Sequence, residues 1–172
     1  MDLTALGNPH STDHVMTNND ATNSTTHASL NADTLARLVT DALERTAFVL
    51  ADPCDNAARL PPADTFAQID FRGPESGAVD LRASRAFARN LAASLLGVDA
   101  SEISDAQAEE ALRELANIVG GSVITALGGD DCRFSLGLPS LGNHTPDASA
   151  THCTLDAEGE RLEVACMHRR AA

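Results

Sequence analysis

The run EEALRELANIVGG, from Glu109 to Gly121, sets several groups of chemical interest on one side of a helix. At about 100° per residue, Glu110, Glu114, Asn117 and Gly121 fall within a stripe roughly 60° wide. Ala108, Ala111, Leu112, Leu115, Val119 and Val123 take the opposite side and are apolar throughout. The outward face therefore offers two carboxylates, an amide and a bare stretch of backbone, groups suited to ion pairing and hydrogen bonding. Asparagine and glycine are poor helix residues, so their presence here asks for a reason. Periodicity alone supplies the plain one, a solvated face carrying a badly placed asparagine.

Other chemistries find less support. All twelve basic residues are arginine and lysine is absent, which excludes a Schiff-base lysine and a phosphate-loop lysine. A formal charge of -13 disfavours nucleic acid as a partner, since nothing could neutralise a run of phosphates. Cys54, Cys132, Cys153 and Cys166 show no C-x-x-C spacing, and Cys153, Cys166 and His168 lack the spacing of a metal site. There is no apolar leader and no spanning run of about twenty residues, so a cytoplasmic chain with reduced thiols is expected.

The elements that must position the outward face read as follows. Residues 1–30 are rich in Asn, Thr, Asp, Ser and His without apolar periodicity, and are expected to form a disordered polar tail ahead of a domain over 31–172. His10, His14 and His27 belong to that tail. Leu35, Leu38, Val39, Ala42, Leu43 and Leu50 predict a first helix, closed by Asp52-Pro53. TFAQIDFRG and GAVDLRA alternate with period two around Gly73-Pro74, as a hairpin does. Ser84 can cap a second helix with Phe87, Leu91 and Leu95 inward and Gly97 at its end. Ser104 and Gln107 form a capping-box pattern for the helix quoted above. CRFSLGLPSL predicts a strand, and THCTLDAEGERLEVACMH a hairpin turning at Glu158-Gly159 with Cys153 and Cys166 among its core-facing residues. The order gives an α+β domain, helices packed on an antiparallel sheet.

A longer pattern adds to this. Glu110, then Glu114-x-x-Asn117, is followed after twenty-one residues by Pro139 in SLGLPSL. This resembles the signature of the CheC/CheX family of chemotaxis phosphatases, over roughly residues 33 to 169, and GAVDLRASRAFARNLAASLLG resembles the family's strand-to-helix segment. A single copy of the signature is more similar to CheX than to the two-site CheC members. Glu110 departs from the Asp or Ser usual at its position.

The resemblance implies a phosphatase acting on the aspartyl-phosphate of a CheY-like response-regulator receiver, in chemotaxis or a related two-component circuit. The receiver would bring the acyl phosphate, Mg²⁺ and a lysine, and this chain would need no cofactor of its own. Asn117 would hold the attacking water and Glu114 would meet the receiver's lysine. Glu110, Gly120, Gly121 and Pro139 would serve docking, the glycines by letting a partner loop come close and the proline by shaping the rim. The family also implies possible pairing into a homodimer through sheet edges. A module that docks a receiver or a flagellar-switch-like partner without hydrolysis is the alternative.

Overall fold

Capping residues and turn residues mark out the elements almost as their chemistry requires. The structure, a computed structural model, describes residues 30–128, 133–142 and 148–170. Asn31 caps α1 (Ala32–Ala47) through its side chain, which accepts from Thr34 N–H at 2.8 Å. The helix stops where Phe48 turns left-handed at φ 56°. Helical phase is lost there, so Leu50 lies beyond the helix and is 64% exposed rather than inward. Nor does Asp52-Pro53 merely close the segment. Those two residues form β1 (Asp52–Pro53) beside Asp156 and Leu155.

β2 (Thr65–Arg72) and β3 (Glu75–Ala83) make the expected hairpin, with Ala67, Ile69, Phe71, Val79 and Leu81 buried on one face. Ser84 caps α2 (Arg85–Leu96) at Phe87 N–H, 3.2 Å away, and Gly97 ends it with φ 66°. The same Ser84 hydroxyl donates to Glu160 at 2.6 Å, tying the helix start to the final hairpin. After a 3-10 turn at Ala100–Glu102 comes α3 (Asp105–Gly128), the longest element. Its capping box is complete: Gln107 N–H donates to the Ser104 hydroxyl at 3.3 Å, and Ser104 N–H donates to the Gln107 side chain at 2.9 Å.

The strand expected over CRFSLGLPSL is reduced to β4 (Ser135–Leu136) and a bridge at Ser140; Cys132 lies outside the described residues. β5 (Thr151–Ala157) and β6 (Glu160–Arg170) form the last hairpin, turning at Glu158 and Gly159, both with positive φ. All pairings are antiparallel, in the order β1-β5-β6-β3-β2-β4.

The three helices share one aliphatic core with the inner sheet face, in which Leu35, Leu43, Leu91, Leu112 and Leu115 meet Ile69, Leu81, Leu155 and Leu162. The α+β architecture is thus the expected one. Leu30 is buried and its carbonyl accepts the Thr151 hydroxyl at 3.2 Å, so the packed part of the chain includes this residue. The remainder of the tail, His10, His14 and His27 with it, lies outside the described residues. Among the described residues no helix is long and apolar enough to cross a membrane.

Candidate functional site

The middle of α3 presents the candidate site on a helix whose other side is firmly held. Ala108, Ala111, Leu112, Leu115, Val119 and Val123 are all buried, which fixes the rotation of the helix about its axis. Its start is tied to α2: the Asp105 carboxylate accepts from Arg89 at 2.8 Å and from Arg85 at 3.4 Å. The Arg89 hydrogen bond and charge, with the charge of Arg85, hold the Asp105 carboxyl below its usual range.

With the helix so oriented, Glu110 and Glu114 are exposed and Asn117 and Gly121 half-buried, as the stripe requires. Glu110 is engaged by Arg113, one turn along. Glu114 and the Asn117 side chain have no hydrogen-bond or ion-pair partner among the described residues. A carboxylate and an amide one turn apart are therefore both available to something outside the chain.

The two glycines divide. A Cβ on Gly121 would meet nothing within 4 Å, so this position does leave bare backbone at the surface. Gly120 does not. It is buried, and a Cβ there would stand 2.8 Å from Ile69 Cγ2 and 3.2 Å from Leu136 Cδ2. Its expected role of admitting a partner loop is corrected accordingly: the missing side chain lets α3 settle onto β2 and the edge strand β4.

That contact also orients the face. About 60° around the helix from Gly120 comes Asn117, and about 120° around comes Glu114. Asn117 thus sits toward the β4 edge and Glu114 toward α2. Pro139 is half-buried on that edge, in a bulge. Gly137 N–H donates to Asp70 O at 2.7 Å and Ser140 N–H to Gln68 O at 2.8 Å, leaving Leu138 and Pro139 opposite Ile69 alone. The ring without an N–H occupies a place where no ladder donor is needed.

Leucines at the borders of this face escaped the sequence reading. Leu95, expected inward, is 40% exposed and Leu96 is 55% exposed; together with Ala92, Ala111, Glu110 and Glu114 they line an open groove between α2 and α3. Each step of four from Phe87 to Leu91 to Leu95 drifts by about 40°, and by the third residue the side chain has turned out of the core. On the far border Leu138 is 90% exposed. The doublet Leu95-Leu96 just before a capping glycine was the available signal.

Two described cysteines are chemically quiet. Burial pushes the Cys153 thiol up to about 11 and the Cys166 thiol up to about 12, the latter helped by the charges of Asp80 and Glu75. They serve as small core residues.

Solved structures with this fold include a chemotaxis protein CheX from Desulfovibrio desulfuricans, with TM-score 0.61 and 18% identity over 80% of this chain and 98% of that one. CheX from Vibrio vulnificus gives TM-score 0.63 at 16% identity, over 80% of this chain and 95% of that one. The CheX-CheY-BeF3-Mg complex from Borrelia burgdorferi gives 0.61 at 15% identity, over 79% and 96%. At such identities these likenesses establish the fold. No curated protein sequence matches the chain. The family model for chemotaxis phosphatase CheX is matched across residues 65–155, from the first residue of β2 into β5, and the chain belongs to the CheX family.

Proposed function

We propose that this chain hydrolyses the aspartyl-phosphate of a CheY-like receiver domain. The observation that carries the reading is the pair Glu114 and Asn117, outward on a helix locked into the core and unengaged among the described residues. The similar structure from Borrelia burgdorferi holds CheY with BeF3 and Mg, a receiver beside a CheX of this fold.

In the proposed reaction a water oxygen attacks phosphorus while the bond from phosphorus to the receiver's carboxylate oxygen breaks. Inorganic phosphate leaves and the carboxylate of the receiver's aspartate is restored. The amide of Asn117 accepts one water proton as a hydrogen bond and so aims a lone pair in line with the scissile bond, with no covalent intermediate on this chain. Glu114 pairs with the receiver's lysine, which fixes the distance at which the two domains meet. Mg²⁺, held by the receiver, supplies charge neutralisation at the phosphoryl oxygens. Gly121 lets the receiver's loop reach the helix backbone, and Pro139 with Leu138 forms one wall of the contact.

The test is phosphate release from a panel of receivers phosphorylated with a small-molecule phosphodonor. Accelerated release from at least one receiver is expected. If the chain binds receivers yet speeds no release, it is a docking module and the catalytic assignment is wrong.

A further inference from the structure

The groove between α2 and α3 opens beside Glu114, and nothing among the described residues fills it. Its floor is made by the small side chains of Ala92 and Ala111, its wall by the half-exposed Leu95 and Leu96, and its rim by Glu110 and Glu114. Small residues below and leucines beside leave depth for an inserted apolar side chain, and on the rim Glu114, unlike the Arg113-paired Glu110, asks for a positive charge next to it.

Resting on the receiver reading above, we propose that this groove seats an amphipathic helix of the receiver, one whose projecting apolar side chain is bordered by a lysine or arginine. Charge selects this occupant over two others. Residues 1–29 of the chain itself contain three aspartates and neither lysine nor arginine, and their three histidines count as neutral at pH 7, so they complement an acidic rim poorly. A second copy fares little better. Among its exposed apolar residues, Phe48 and Leu50 are bordered by Asp41, Glu44, Asp52 and Asp55, more carboxylates than the neighbouring arginines offset. Like charges would then face one another across the contact.

The groove and the Glu114-Asn117 pair lie side by side on α3, so one rigid helix both grips the receiver and presents the amide. Grip then appears in affinity and the amide in turnover.

Calorimetric titration with a CheY-type receiver held in its active form by beryllofluoride and Mg²⁺ separates the two. Leu96→Ser should weaken binding about tenfold or more, since an apolar contact is exchanged for a hydroxyl, and Leu96→Met should restore it. Leu96 is exposed, so the fold tolerates both changes. At saturating phosphorylated receiver the Leu96→Ser rate of phosphate release should equal wild type. Unchanged affinity in Leu96→Ser, or no binding to any receiver, overturns the proposal. Tighter binding on deletion of residues 1–29 also overturns it, because the tail would then be the occupant. Failure of the catalytic reading looks different: groove-dependent binding persists without phosphate release.

Discussion

Glu114 stands exposed with an apolar groove on one side and Asn117 a turn away, and its charge is not used by any described neighbour. Glu110, by contrast, is already held by Arg113. A surface carboxylate without a partner contributes little to folding, so reversing it should hardly disturb stability. Across an interface the same reversal places like charges in contact. Glu114→Lys is expected to leave the thermal midpoint within a degree or two while weakening receiver binding at least tenfold, measured by titration with the beryllofluoride-bound receiver. Unchanged affinity would remove Glu114 from the proposed contact.

The helix α3 shows how much an element's sequence can say and where it stops. Its N-terminal capping box, its buried stripe and its outward stripe were all legible, because each follows from spacing along a single element. The position of Gly120 was not. Neighbouring glycines look alike in sequence, and only the approach of Ile69 and Leu136 from other elements tells them apart. Leu95 and Leu50 failed for a similar reason, since where a helix outruns its partner or stops is set by tertiary packing. The broken strand around Pro139 and the two-residue β1 were also beyond period-two reading, being shorter than the pattern needs.

The two glycines therefore make a paired test of the element. Gly121→Ala should stabilise the protein by about 1 kcal/mol, the helix-propensity gain with no clash. Gly120→Ala gains the same propensity but drives a methyl into the fully buried Ile69, an overpacking that costs about 1–3 kcal/mol. Chemical denaturation should rank Gly121→Ala above wild type and Gly120→Ala below Gly121→Ala; equal effects would contradict the packing role of Gly120.

At the scale of the whole molecule, the edge strands and the chain start carry consequences. Because Leu30 is buried and accepts the Thr151 hydroxyl, removing residues 1–29 should leave the thermal midpoint nearly unchanged, whereas removing residues 1–30 should lower it by several degrees. A large drop on the shorter deletion would show that the polar stretch packs. β4 ends the sheet on one side, and beyond the short β1 the far end of β5 is also unpaired among the described residues, so backbone donors and acceptors are open to another chain. We propose a homodimer formed by pairing such edges. Light scattering at micromolar concentration should give twice the monomer mass, and a monomer mass would refute it.

The central claim is that Asn117 acts by aiming a water, and the variant Asn117→Ala tests it directly when stability and rate are measured on one preparation. Alanine is the better helix former, so unfolding free energy should hold or rise by around half a kcal/mol. If Asn117 holds the water, dephosphorylation of the receiver should slow about a hundredfold or more, with affinity for the beryllofluoride-bound receiver little changed. A stable Asn117→Ala protein that releases phosphate at the wild-type rate would contradict the account.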